Sequence, residues 1–181
     1  MLKIEEGTPL SKSELRFLCA DEEKVSDLYL FACGELSARG FEQYEISNFA
    51  KEGRRAFHNT RYWLDDEYVG IGPSAHSFME GRRFFTERSI KDFLEKPFDE
   101  NEIEESSGGS WEEFAMLRLR LTDGLDLEEL AEKFPEAPAE EILENAKPFE
   151  KPGLLRIKGK NIAFTPKGFL LSNSLTAEIL Y

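Results

Sequence analysis

Cysteine, histidine and tryptophan are each present only twice in this 181-residue sequence. Cys19 and Cys33 stand fourteen positions apart in a helical-looking stretch. That spacing fits no zinc or iron–sulfur pattern, and free thiols in a reducing cytosol are the natural reading. No run approaches the roughly 18 apolar residues of a membrane span, and no basic-then-apolar leader opens the chain. Positive charge is also scarce, with 23 Lys and Arg against 36 Asp and Glu and a formal net charge of −13. A general nucleic-acid or anionic-membrane binder needs clustered cations, so both classes are disfavoured. No internal repeat is present.

What the chain does have is a hydrophobic fraction of 40% with 15 Phe, enough for a real core. Its few cations are concentrated. The window Lys51–Lys91 carries +2, which leaves −15 for the remainder. Both histidines lie in that window, within FHNTRYWLDDEYVGIGPSAHSF.

The opening MLKIEEGTPL reads as the tail of a strand and a Gly-Thr-Pro turn. Asp21 reads as the N-cap of a helix to about Arg39, with Val25, Leu28, Phe31, Ala32 and Leu36 on one inward face and Gly40 as its stop. FEQYEISNFA reads as a strand, and EYVGIGPSAHS as a second one that ends in a glycine turn. FMEGRRFFT has the form of a hairpin bent at Gly81, and SIKDFLEK of a short helix capped by Ser89. EKPFDENEIEESSGGS has the composition of a hinge or exposed loop.

Beyond it the pattern is helical. Ser110–Glu113 and Asp126–Glu129 are spaced as capping boxes, and a third helix begins near Pro138 with Ile142, Leu143 and Ala146 turned inward. GLLRIKGKNIAFTP gives two short strands around Lys158-Gly159-Lys160, and GFLLSNSLTAEILY a closing amphipathic helix. Three helices, a hairpin wing and a closing helix describe a winged-helix-like module. Its second and third helices carry Glu128, Glu129, Glu132, Glu140, Glu141 and Glu144, which would repel phosphate, so DNA is not its ligand.

Two readings stand for each candidate site. His58, with Tyr62 and Trp63 following it, is either a loop histidine that packs on Trp63 and bonds a carbonyl, or a ligand. A neutral imidazole coordinates haem iron, and Tyr and Trp flank a flat ring. Gly70-x-Gly72-Pro73 lacks the third glycine of a dinucleotide fingerprint. It is either a glycine-permitted strand exit or a close backbone approach to a ligand beside Ala75 and His76. The two Gly-Arg-Arg turns, with Arg54, Arg55, Arg82 and Arg83, are either solvated charge or a patch for carboxylates, which guanidinium binds bidentately.

YEISNFA, HNTRYW and GIGPSAHS followed by GRR occur together and in this order in one family. From IEEGTP at the start to LTDGLDLEEL, GLL and FTPKGFLLSN near the end, the sequence resembles the second half of the oxygen-independent coproporphyrinogen III oxidase family of radical S-adenosylmethionine proteins, nearest its haem-chaperone, HemW-like subgroup. The resemblance implies an α/β + α architecture: residues 1–105 as an incomplete (β/α) barrel remnant, and residues 106–181 as a helical winged-helix-like C-terminal domain. It also implies a CxxxCxxC loop holding a [4Fe-4S] cluster that binds S-adenosylmethionine, but this loop belongs to the family's N-terminal half. The chain lacks it, so no cluster and no catalysis are expected of this chain alone.

Carried over by residue, Ala75 and His76 fall beside S-adenosylmethionine, with Lys3 by a looser alignment. HNTRYW makes His58 the candidate axial ligand of haem iron, with Tyr62, Trp63, Arg54, Arg55, Arg82 and Arg83 as further tetrapyrrole candidates. A true coproporphyrinogen oxidase fragment and a non-enzymatic docking module are the alternatives. Implied partners are a tetrapyrrole, the N-terminal half-barrel and, through exposed strand edges, a second copy. A cytoplasmic location is expected.

Overall fold

The computed structural model describes residues 4, 6–14, 20–96 and 102–181, with the side chains of residues 102 and 104–106 left aside. Lys3, Cys19 and the expected opening strand lie outside that description. α1 (Glu22–Ala38) is capped by Asp21, whose carboxylate accepts from the Lys24 N–H at 2.8 Å. It stops where Gly40 takes φ +77°, a left-handed conformation that costs glycine little. Its buried side differs from the expected one. Cys33 is buried, with Tyr29 half-buried beside it, whereas Leu28 and Phe31 face solvent.

The stretch expected as one strand over residues 41–50 folds back on itself. β1 (Glu42–Gln43) and β2 (Phe49–Ala50) form a two-stranded hairpin. The residues between them pair elsewhere: Glu45 forms a bridge with Leu121, and the Ile46 N–H donates to the Arg120 carbonyl at 3.0 Å. A partner more than seventy residues away overrode the local β preference. HNTRYW is not a loop either. It lies in α2 (Phe57–Trp63).

β3 (His76–Met79), β4 (Arg82–Thr86) and β5 (Glu102–Ser107) form an antiparallel sheet in that order. The Glu80-Gly81 turn joins β3 to β4 as read from sequence, with Gly81 at φ +72°. The strand expected over EYVGIGPSAHS lies elsewhere. It begins after the glycine turn instead of ending in it, which puts His76 at its start. Tyr68 pairs with Phe78 along the free side of β3. A Cβ at Gly70 would come within 2.2 Å of the His76 carbonyl oxygen, so Gly70 is required by close backbone approach. Every strand pairing among the described residues is antiparallel, so the parallel layer expected of a barrel remnant is not what they form. The physical reason is connectivity, because a two-residue turn can join only antiparallel strands.

The Glu- and Ser-rich segment expected as a hinge or exposed loop supplies β5, which runs across the anticipated division at residues 105 and 106. The glycines after it are not an open linker. A Cβ on Gly108 would sit 2.7 Å from the Phe78 ring, and the Gly109 N–H donates to Glu113 Oε2 at 2.8 Å. α3 (Ile90–Glu95) is capped by Ser89 as expected.

Then come α4 (Trp111–Arg118), β6 (Leu125–Asp126), α5 (Leu127–Lys133) and α6 (Ala139–Ala146). A 3-10 turn at Lys147–Phe149, containing Pro148, ends α6. β7 (Leu155–Lys158) and β8 (Asn161–Phe164) form a hairpin at Gly159, and β8 lies between β6 and β7. Ser110 and Asp126 both cap their helices, but neither capping box is reciprocal. Glu113 reaches back one residue too far, to Gly109, and Glu129 turns to Arg118 at 2.7 Å. The single closing helix is divided into α7 (Pro166–Leu170) and α8 (Ser172–Leu180). Gly168 packs against the Leu154 carbonyl so closely that no side chain fits.

One core dominates. Phe114, Leu119, Leu125, Leu127, Leu130, Ile142, Leu155, Ile162, Phe164 and Ile179 are almost wholly buried. Tyr29 and Ile46 from the first half pack against it. A polar belt joins the halves: Thr122 donates its N–H to the Tyr44 carbonyl and its hydroxyl to the Gln43 carbonyl, both at 3.1 Å. Tyr29 donates to the Ile46 carbonyl at 2.8 Å and accepts from Gln43, and burial pushes its phenol up to about 12. No helix among the described residues is long and apolar enough to cross a membrane.

Candidate functional site

The helical conformation of HNTRYW decides what its side chains meet. Residues four apart on a helix share a face, so His58 meets Tyr62 and not Trp63. Their rings stand edge to face with centroids 5.0 Å apart, and His58 Nε2 lies 2.8 Å from the Tyr62 hydroxyl. Tyr62 in turn stands edge to face on Tyr68 at 4.4 Å. His58, Arg61, Tyr62, Glu67, Tyr68, Val69 and Met79 line one open cavity of about 450 Å³. Phe57 (77% exposed), Val69 and Ile71 (81%) add exposed apolar surface in the same region of the chain. The cavity therefore offers two aromatic rings, an aliphatic chain, a thioether, one imidazole, one guanidinium and one carboxylate.

Trp63 is turned elsewhere, under Arg120, whose guanidinium lies 5.4 Å from the ring. Its indole N–H is buried without a hydrogen-bond partner.

The four arginines have different surroundings. Arg83 is held inside: its guanidinium donates to Glu113 at 2.7 Å, Asp65 at 3.2 Å and the Tyr68 hydroxyl at 3.3 Å, and covers the Phe78 ring at 4.3 Å. Arg55 is paired bidentately with Asp123 and lies over Tyr44. Arg54 and Arg82 are exposed, and among the described residues neither has an ion-pair partner. Arg82 is cross-strand to Met79, which lines the cavity, but neither Arg82 nor Arg54 is among the lining residues. Asp65, 2% exposed at its side chain and at φ +58°, also lies 4.0 Å from Lys133. Its burial raises the carboxyl above its ordinary range, with Glu113 adding to that and the neighbouring cations opposing it.

Ala75 and His76 follow the Gly72-Pro73-Ser74 turn, in which Ser74 has φ +61°. The Ala75 carbonyl accepts from Thr86 at 2.9 Å, and exposed His76 stacks on Phe85 with centroids 5.3 Å apart. Neither lines the cavity around His58. Arg61, Glu67, Tyr68, Val69 and Met79 join the site without a sequence motif that marks them. Arg61, three residues after His58, was available from helical spacing. Tyr68 and Met79 reach the site only through the pairing beside β3, which no local pattern reveals.

No group of three or more His, Cys, Asp or Glu side chains among the described residues is placed to hold a metal ion. Two cysteines are also fewer than the three thiolates a radical S-adenosylmethionine cluster takes, so the residues present do not fit that cluster. The cavity's rings and aliphatic surface suit the plane of a flat aromatic macrocycle and its imidazole suits an iron, while Arg61 suits an anionic arm and Glu67 opposes one.

The chain is a mixed α/β arrangement of small antiparallel sheets ending in a helical domain with a hairpin, and it is similar to the C-terminal region of HemN/HemW-like radical S-adenosylmethionine proteins. Residues 110–171 match the HemN C-terminal domain. It is 30% identical over 164 residues to the "Heme chaperone HemW" of Bacillus subtilis, covering 88% of this chain and 43% of that protein. It is 27% identical to the "Heme chaperone HemW" of Mycobacterium tuberculosis, over 99% of this chain and 46% of that one. Among solved structures, the Escherichia coli coproporphyrinogen III oxidase (HemN), described as a radical SAM enzyme, matches with a TM-score of 0.62. That match covers 90% of this chain and 42% of the other at 18% identity, and it speaks for the fold alone. The chain thus spans less than half the length of the relatives it matches.

Proposed function

We propose that this chain is the tetrapyrrole-facing C-terminal portion of a haem chaperone, and that the cavity around His58 receives haem. The observation that carries this reading is the convergence of His58, Tyr62, Tyr68, Val69 and Met79 on one open cavity. Haem brings the iron, and the chain's own residues supply its setting. His58 offers an imidazole nitrogen to the metal, Tyr62 and Tyr68 offer ring surface, and Val69 and Met79 offer apolar contact. Arg54 and Arg82 hold the propionates, since Arg55 and Arg83 are already engaged with carboxylates of the protein.

On this reading Ala75 and His76 face S-adenosylmethionine from the side of a cluster-bearing N-terminal half. That half covers Leu28, Phe31, Ile90 and Leu94, which are exposed in this chain. The winged-helix-like domain from Ser110 onward closes over it.

The test is a haem titration followed by absorption in the Soret region. The wild-type chain gives a ligation shift, His58→Ala loses it, and Arg54→Ala with Arg82→Ala weakens binding without changing the shape of the spectrum. A His58→Ala spectrum identical to wild type would return His58 to a structural role. Turnover of coproporphyrinogen by this chain, once combined with a cluster-bearing half, would favour the oxidase alternative.

A further inference from the structure

The nitrogen that a metal would take is already occupied. His58 Nε2 lies 2.8 Å from the Tyr62 hydroxyl, one helical turn away on the same face of α2. In the tautomer protonated on Nδ1, that hydroxyl donates to Nε2 and holds the lone pair that would otherwise reach iron. Ligation through Nε2 therefore has to break this bond, and loss of the ligand re-forms it within one helix turn without backbone movement. The Tyr62 ring is fixed separately, edge to face on Tyr68 at 4.4 Å, so the hydroxyl stays at hand when the imidazole lets go.

We infer that the Tyr62 hydroxyl is an internal competitor for haem iron at His58, a positioning group that lowers affinity and speeds release. The inference rests on the haem reading above and adds a regulatory device to it. A carrier that must pass on its cargo gains from a resident group that caps the vacated nitrogen. Competition by one hydrogen bond is worth about two- to tenfold in an equilibrium constant.

The variant is Tyr62→Phe, which removes the hydroxyl and keeps the ring stack. Two measurements apply, one of them without haem. In the haem-free chain, acylation by diethyl pyrocarbonate is followed by mass spectrometry, with His76 as the internal reference; the rate at His58 rises in Tyr62→Phe while that at His76 does not. In the haem titration, Tyr62→Phe binds about two- to tenfold tighter than wild type and transfers haem to apomyoglobin correspondingly more slowly. Faster acylation together with unchanged or weaker haem affinity, in a chain whose ligation still depends on His58, overturns the competitor and leaves the haem reading intact. Ligation that persists in His58→Ala overturns both. An acylation rate at His58 that does not change shows that the hydroxyl does not hold the nitrogen, and also overturns the inference.

Discussion

The two halves of the chain differ in how they are held together. From Ser110 onward, apolar side chains close a continuous core: Phe114, Leu119, Leu127, Ile142, Phe164 and Ile179 are nearly wholly buried. Before that point the buried apolar residues among those described are few (Cys33, Tyr44, Ala50 and Phe78), and Leu28, Phe31, Val69, Ile71, Ile90 and Leu94 face solvent. The first half is tied to the second by polar contacts besides the packing of Tyr29 and Ile46 on the core. Arg83 reaches Glu113, Thr122 bonds to Gln43 and Tyr44, and Arg55 pairs with Asp123. A region stabilised by directional bonds, with apolar surface left over, can present a binding cavity. A region stabilised by its own core serves as the platform.

Truncation gives the largest expected effect. Phe164→Ala removes a fully buried ring from the platform and should cost about 3–5 kcal/mol of unfolding free energy. Ile71→Ala should stay within about 0.5 kcal/mol, as surface changes do. Denaturant melts of the two variants measure the contrast, and comparable losses would erase it. Arg83→Met comes next. It leaves Asp65 and Glu113 without their shared cation and should cost about 1.5–3 kcal/mol, the range for charge-assisted hydrogen bonds.

The pH dependence is smaller and has a definite sign. Burial raises the Asp65 carboxyl, so the folded chain binds its proton more tightly than the unfolded chain does. Stability then falls as pH rises from the ordinary carboxylate value through the raised one, and the penalty is fully present above it. Relative to Asp65→Asn, wild type should therefore gain stability as pH is lowered toward the ordinary carboxylate value. A stability difference that is independent of pH would mean Asp65 is not desolvated. The weakest expected effect concerns the exposed apolar residues of the first half. Sedimentation should show concentration-dependent self-association that Ile90→Glu with Leu94→Glu reduces, and a strict monomer at high concentration would count against an open surface there.

What the sequence revealed was local. Asp21, Ser89, Ser110 and Asp126 are caps because each offers an oxygen to an unpaired N–H two or three residues on, and Gly81 and Gly159 mark hairpins because both adopt positive φ. What stayed hidden depends on distant partners. The stretch over residues 41–50 is bent by Leu121 and Arg120, and β5 is a strand because β4 lies beside it, despite its acidic and serine-rich composition. His58 was legible as a ligand candidate from its motif. Its engagement with Tyr62 follows from i, i+4 spacing only once residues 57–63 are known to be helical.

The central claim is that His58 takes the iron of a haem seated in the cavity around Tyr62 and Met79. Its most direct test is electron–nuclear double resonance on ferric haem bound to the chain carrying nitrogen-15 histidine. A strong coupling to labelled imidazole nitrogen should be present in wild type and in His76→Ala and absent in His58→Ala. A coupling that survives in His58→Ala would contradict the account.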